Sequence, residues 1–316
     1  MIERGGGVCP CANSLDPPAN PPHYLDWMLV KEKFKIMISS DLTRKLDRLR
    51  ETLRGYGSAL IAYSGGVDST FLLKVAVEAL GRDKVLGVTA RSESLTTRAF
   101  QLACDIARQQ DLPQEVIEYS ELEIEGYAGN PVNRCYFCKS ELFHRMRELA
   151  DSRGLAVVVE GSNADDVGDF RPGMRAAAEL GMRSPLREVG LTKDEIRALS
   201  REMGLPNWDR PSEACLASRF PYGEQITHQK LNQVGEAEDY VRGLGLRQVR
   251  VRHHGKVARI EVLPDDMARL LDPATRSALV AHFKKLGFHY VTLDLQGYRT
   301  GSMNEPLSAE VRSAVR

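Results

Sequence analysis

An apolar strand, Ser58–Tyr63, runs into Ser64-Gly65-Gly66-Val67-Asp68-Ser69-Thr70 and on into an apolar helix, Ser69–Leu80, stopped by Gly81. No other stretch constrains the fold as tightly. Gly65 and Gly66 let the backbone take positive φ and approach a ligand closely. The N–H groups of such a turn, at the start of a helix, make a concave anion site. Ser64, Ser69 and Thr70 add hydroxyl donors, and Val67 lies within the same loop. Asp68 is the odd member, because a carboxylate beside phosphates is repulsive unless a cation intervenes, and Mg²⁺ is the natural one. The loop is not a Walker A sequence, since no Gly-Lys-[Ser/Thr] follows.

The surrounding chain alternates between strands and helices. Strands are predicted at Val85–Ala90, Glu115–Tyr119 and Ala156–Glu160, with helices at Asp41–Leu53, Thr96–Gln110 and Cys138–Arg153. Thr96 is the expected N-cap of its helix. Thr192-Lys193-Asp194-Glu195 reads as a capping box opening a helix that ends at Gly204. Strands spaced by helices imply an α/β fold with a parallel sheet covered on both faces. In such sheets ligands sit beyond the strand carboxyl ends. Ala90 and the backbone after it are therefore a candidate adenine contact. Gly161 permits close approach at the end of a later strand, and Asp165 or Asp166 is placed to share Mg²⁺ with Asp68.

After about residue 225 the pattern changes to a helix, a hairpin around His254-Gly255, two helical stretches and the strand His289–Leu295. This reads as a second, antiparallel α+β domain. Three segments are expected: an irregular N-terminal extension over 1–38, a nucleotide-binding domain over 39–222 and an α+β domain over 223–316. The extension is rich in Gly and Pro, its Cys9 and Cys11 read as incidental, and Met28 and Met37 are alternative start sites.

Charge and cysteine content narrow the function. Lys+Arg and Asp+Glu balance at 43 each, so no global field draws the chain to nucleic acid. No apolar run approaches the roughly 18 residues of a membrane span, and no signal peptide is evident, which points to the cytoplasm. Six cysteines in 316 residues are too few for a disulfide scaffold. Cys104 reads as a small core residue. Cys135 and Cys138 stand one helical turn apart, and Cys215 follows 77 residues after Cys138. Three cysteines match an iron–sulfur cluster with one open iron site better than a four-ligand zinc site. Arg134, Lys139 and Arg219 are expected to lower the nearby thiol pKa values and to hold phosphate.

The loop at Ser64–Thr70 resembles that of the PP-loop ATP pyrophosphatases. Together with Asn133–Lys139, Gly161–Asp166, Pro211–Phe220 and Val291–Tyr298, it makes residues 40–305 resemble the LarE family. The resemblance implies an ATP-dependent sulfur transferase of nickel-pincer nucleotide biosynthesis. ATP would adenylylate a carboxylate of pyridinium-3,5-biscarboxylic acid mononucleotide, and sulfur would then displace AMP. Two chemistries exist in that family. In one, the cysteine matching Cys215 gives up its own sulfur; in the other, a [4Fe-4S] cluster on three cysteines carries an extra sulfide. Ligand count and spacing favour the cluster, and Cys215 is essential in both. The resemblance also implies a homo-oligomer working with other enzymes of the cofactor pathway.

A second basic site lies in the predicted hairpin. Arg247, Arg250, Arg252, Lys256 and Arg259 stand in thirteen residues with no acid. Alternation puts Arg250 and Arg252 on one face, suited to a phosphate monoester. The resemblance makes it the phosphate site of the substrate nucleotide, with nothing nearby neutralising the pair and Glu261 orienting it. The rival readings are a cluster-dependent tRNA thiolase, which needs a broad basic surface, and an amidating synthetase, which leaves Cys135, Cys138 and Cys215 without a role.

Overall fold

A computed structural model describes residues 24–166, 172–305, 307, 308 and 311, with side chains from residue 40 onward. The described residues part into two units between Arg44 and Lys45, and both sheets lie in the second. Cys9 and Cys11 lie outside the described residues. The first helix, α1 (Tyr24–Tyr56), begins well before the expected Asp41. Beyond Pro22 the chain has neither proline nor glycine until Gly55, so nothing in the backbone breaks the helix.

β1 (Ala59–Ala62), α2 (Val67–Leu80), β2 (Val85–Arg91), α3 (Thr97–Gln109), β3 (Gln114–Glu118), α4 (Arg134–Arg153) and β4 (Val157–Val159) follow in alternation. The strands form one parallel sheet in the order β3-β2-β1-β4. Central β1 reads Ala-Leu-Ile-Ala because a strand flanked on both sides has no solvated face. Leu60 and Ile61 are fully buried, as are Phe71, Leu72 and Leu73 of α2; each contributes about 1.5–3 kcal/mol of apolar burial. The chain steps from β1 outward through β2 to β3, then returns to the other side of β1 with β4. The direction of winding thus reverses between β1 and β4, the crevice where open α/β sheets bind ligands.

Thr96 caps α3, accepting a hydrogen bond from the Ala99 N–H at 3.1 Å. Helix α4 starts at Arg134, four residues before the predicted Cys138, because a turn from Pro131 leads straight into it. Cys135 and Cys138 therefore both lie at the start of the helix.

Two short helices, α5 (Pro172–Glu179) and α6 (Pro185–Glu188), lead to α7 (Lys193–Glu202). The predicted capping box is complete there: Thr192 accepts from the Glu195 N–H, and Glu195 accepts from the Thr192 N–H. After α8 (His228–Gly243), the hairpin of β5 (Val249–His254) and β6 (Val257–Val262) turns through Gly255 at φ +60°. Helices α9 (Met267–Leu271) and α10 (Pro273–Lys285) precede β7 (Tyr290–Leu293). The expectation of an antiparallel segment is corrected here, since β7 pairs with β6 in parallel. The two helices form a crossover, which returns the chain to the starting end of the strand.

Val249, Val251, Ala258 and Ile260 pack with Leu231, Val234 and Phe283 in a core that also takes in Leu216, Ala217 and Phe220. The residues just after Cys215 are thus anchored on the second sheet.

Candidate active site

The glycine loop crosses from β1 to α2. Gly65 has φ +71°, and a Cβ there would lie 2.7 Å from Ala103, so neither the backbone angle nor the space admits a larger residue. Ser64 and Ser69 share a hydroxyl hydrogen bond of 3.1 Å, and the Ser69 hydroxyl donates to the Gly66 carbonyl at 3.2 Å. The Gly65 carbonyl is held from outside the loop by Asn207 Nδ2 at 3.0 Å and Arg210 Nη1 at 3.2 Å. Fixing that carbonyl fixes the orientation of the peptide plane it shares with the Gly66 N–H. The Thr70 hydroxyl accepts from Asn207 at 2.9 Å and is fully buried, and Val67 is buried as well. Thr70 therefore braces the loop from behind.

Asp68 is half paired. Its Oδ2 accepts from Lys193 Nζ at 2.5 Å, whereas its Oδ1 is buried with no hydrogen-bond partner among the described residues. Burial pushes the Asp68 carboxyl up and Asp166 adds to this, with Lys193 opposing both. The backbone N–H of Lys193 donates to Asp165 Oδ2 at 2.8 Å, and Asp166 Oδ2 accepts from the Asn163 N–H at 2.9 Å. Gly161 closes the crevice from β4; a Cβ on it would sit 3.3 Å from the Ser69 nitrogen. Ala90 lies near the end of β2, paired with Ile117, and Lys139 holds its ammonium 5.2 Å from the centre of the Phe143 ring.

An orphaned buried carboxylate oxygen beside an anion-binding loop fits Mg²⁺, which takes one or two carboxylates and completes its shell with phosphates and water. Asp68 is the residue that would hold it. Lys193, Asn207 and Arg210 were not singled out by sequence. The capping box hid Lys193, whose side chain serves the loop while its backbone starts a helix.

Cys215 is exposed, whereas Cys135 and Cys138 are partly buried. The Cys138 thiol donates to Glu121 Oε1 at 2.9 Å, and the Tyr127 hydroxyl donates to Glu121 Oε2 at 2.9 Å. Arg134 Nη2 lies 3.8 Å from the Cys135 sulfur. Burial opposes the Arg134 charge, but Cys215 and then Cys135 beside it keep it protonated.

The expected lowering of the thiol pKa values is corrected for two of the three. Burial pushes Cys138 up, reinforced by Glu121. Surrounding protein likewise pushes Cys215 up, although Arg134 and Arg219 oppose it. Cys215 thus keeps an exposed surface, yet desolvation by the surrounding protein outweighs the two cations.

The donors suit a [4Fe-4S] cluster in kind. Binding one would require the Cys138 thiol to give up its hydrogen bond to Glu121. Among the described residues, no group of three or more His, Cys, Asp or Glu side chains is placed to hold a metal.

Four arginines converge on the backbone around Cys215. Arg219 Nη1 donates to the Ala214 and Cys215 carbonyls at 3.0 Å each, and Arg134 Nη1 to that of Ala217 at 2.9 Å. Arg250 Nη2 reaches the Ser212 carbonyl and Arg252 Nη1 the Ser218 carbonyl, both at 2.8 Å. The expectation that nothing neutralises the Arg250/Arg252 pair is corrected. Glu261 on β6 lies opposite Arg250 in register, yet its carboxylate accepts from Arg252 Nε and Nη2 at 3.0 and 2.8 Å. Arg250 differs: among the described residues it has no carboxylate within salt-bridge distance, and Tyr298 stands 5.2 Å from its guanidinium. Burial, with Arg219 nearby, pulls its pKa down to about 10.

A sequence model of the NAD synthase family matches residues 42–135, the part that carries the glycine loop. Over 84% of this chain and 96% of its own length, the pyridinium-3,5-bisthiocarboxylic acid mononucleotide synthase of Lactiplantibacillus plantarum is 39% identical. The chain belongs to the LarE family. An uncharacterised Synechocystis protein is 46% identical over 84% of this chain and 99% of its own length. An uncharacterised Methanocaldococcus jannaschii protein is 28% identical over 81% of this chain and 98% of its own. Membership in LarE makes the chain an enzyme with a PP-loop nucleotide-binding fold. Among the described residues no helix is long and apolar enough to cross a membrane.

Proposed function

We propose that this chain uses ATP to adenylylate a carboxylate of pyridinium-3,5-biscarboxylic acid mononucleotide, releasing pyrophosphate, and then converts it to a thiocarboxylate for the nickel-pincer cofactor. The Arg210–Gly65 hydrogen bond carries this reading. It joins the loop that would hold the pyrophosphate to the segment that presents Cys215, only a few residues further on. The loop and the thiol-bearing segment are thereby tied together.

In the first step a substrate carboxylate oxygen attacks the α-phosphorus, and the bond to pyrophosphate breaks. The Ser64–Thr70 backbone holds the leaving group and Lys193 supplies a cation; Asp68 would hold Mg²⁺, which would supply further neutralising charge. Ala90 and Gly161 border the nucleoside. Lys139 serves the phosphate-rich end, and the substrate's own phosphate goes to Arg250, beside Arg252 and Glu261. In the second step the Cys215 thiolate attacks the acyl carbon and AMP departs. Loss of the Cys215 Cα proton then breaks its C–S bond, leaving the thiocarboxylate and dehydroalanine.

Residues 39–222 serve ATP and residues 223–316 serve the substrate and self-association, in a cytoplasmic homo-oligomer. The test is intact mass after turnover on anaerobically purified protein, with iron measured on the same sample. Dehydroalanine at position 215 supports the scheme. Four irons per chain with unchanged mass would move the sulfur source from Cys215 to a sulfide on a [4Fe-4S] cluster held by Cys135, Cys138 and Cys215. No pyrophosphate release on adding the mononucleotide would overturn the reading altogether.

A further inference from the structure

We infer that Glu238 is a positioning residue for Cys215, acting through Arg219; the inference rests on the reading of Cys215 as the sulfur-bearing residue. Glu238 projects from α8 and is completely buried. Its Oε1 accepts from Arg219 Nε at 2.7 Å and from the Val251 N–H at 3.0 Å. Its Oε2 accepts from Arg219 Nη2 at 3.0 Å and from Arg242 Nη2 at 2.8 Å. One carboxylate thus fixes Arg219 by two parallel bonds, the geometry with the least angular freedom.

The remaining nitrogen of that guanidinium, Nη1, is the one that holds the Ala214 and Cys215 carbonyls at 3.0 Å each. Because the guanidinium is planar and rigid, orienting Nε and Nη2 orients Nη1. The Glu238 carboxylate therefore sets the direction of the backbone on which the Cys215 sulfur is mounted. The bond to Val251 adds a second constraint, because it indexes the same carboxylate to β5, the strand that carries Arg250 and Arg252. Cys215 and the proposed phosphate site share one reference point.

Electrostatics explain why a carboxylate is needed here. Arg219 and Arg250 are buried around Glu238, and the Arg242 side chain is nearly so. Burial alone would raise its pKa, but these cations, Arg219 foremost, hold it down to about 2. Without the charge, Arg219 and Arg250 repel across a poorly solvated gap, and the Arg219 fork has no reason to keep its angle. Simple burial of a charged pair does not account for the arrangement, since an apolar pair of similar volume is often as stable.

The test is the rate at which iodoacetamide alkylates Cys215 at fixed pH in the full-length protein, read by peptide mass spectrometry, with Cys135 as internal reference. In Glu238→Gln the Cys215 rate is expected to change about tenfold, while Cys135 stays within about twofold. In a single turnover, the rate of thiocarboxylate formation should fall about 100-fold, as for a displaced reacting group, with the ATP dependence of pyrophosphate release little changed. Glu238→Asp, which keeps the charge but shortens the reach, should restore part of that rate. Wild-type alkylation of Cys215 in folded Glu238→Gln overturns the inference, and so does failure of both variants to fold, since the carboxylate would then serve the core. The alkylation rate needs no substrate, so it separates failure of this inference from failure of the sulfur-transfer reading.

Discussion

Lys193 lies 125 residues from Asp68 in sequence, yet its ammonium is 2.5 Å from the Asp68 carboxylate. The pair occupies only one oxygen, and the other is buried with no partner among the described residues. A site built this way is incomplete until a cation arrives. Lys193 is well placed to exchange Asp68 for a phosphate oxygen when Mg²⁺ takes over the carboxylate. Lys193→Ala should lower the rate of pyrophosphate release by about 100-fold, in the range for removing a transition-state donor. An unchanged rate in a pyrophosphate assay would reduce Lys193 to a surface ion pair.

Asp68→Asn tests the other half of the pair. Loss of the metal-holding charge should suppress AMP formation more than 10-fold, with recovery on raising Mg²⁺ confined to the wild type. Titrating Mg²⁺ against AMP yield in both proteins checks this. Equal Mg²⁺ dependence would remove Asp68 from the metal site.

Cys215→Ala should abolish thiocarboxylate formation while pyrophosphate release continues, because the thiol acts after adenylylation in the proposed scheme. Loss of both would show that the residue supports the fold of its loop instead.

Arg250→Met should raise the KM for the mononucleotide by about 10- to 100-fold, the range for losing a hydrogen bond to a charged group, and leave the KM for ATP within about twofold. Arg252→Met should be more damaging to stability than to substrate binding, because among the described residues it leaves the buried Glu261 with Arg259 alone, at 3.1 Å. Initial-rate kinetics and thermal denaturation on the same preparations separate the two.

Glu238 also predicts the acid limb of stability. Its folded pKa of about 2 lies below the ordinary 4.5, so the unfolded chain binds more protons between those values. Its stabilising contribution, roughly 3 kcal/mol from that difference, is present above about pH 4.5 and is lost as pH falls toward 2. Urea unfolding from pH 5 to 2.5 should therefore show a shallower pH slope in Glu238→Gln than in the wild type. Identical slopes would mean that other carboxylates govern the acid limb.

Much of the architecture was legible because it follows local rules. Thr96 and Thr192 cap as their side-chain chemistry requires, and the apolar run at Leu60-Ile61 is the mark of a strand buried on both faces. The parallel pairing of β7 was not legible, because it depends on where α9 and α10 return the chain. The early start of α4 was missed for a related reason: the turn at Pro131 is a local signal that the polar Asn133-Arg134 stretch obscured.

The sequence by itself determined the glycine loop, the strand it follows and the set of reactive side chains, since these rest on backbone freedom and periodicity that act within a few residues. Tertiary structure alone decided which charges meet. Arg219, Arg250 and Arg252 read in sequence as free phosphate ligands, but in the fold they grip the carbonyls around Cys215. Two of them are bound to Glu238 and Glu261, and among the described residues Arg250 has no carboxylate within salt-bridge distance. Whether a charge is neutralised depends on distances of a few ångströms between strands and helices far apart in the chain. Lys193 is the clearest case, since only folding brings it to Asp68.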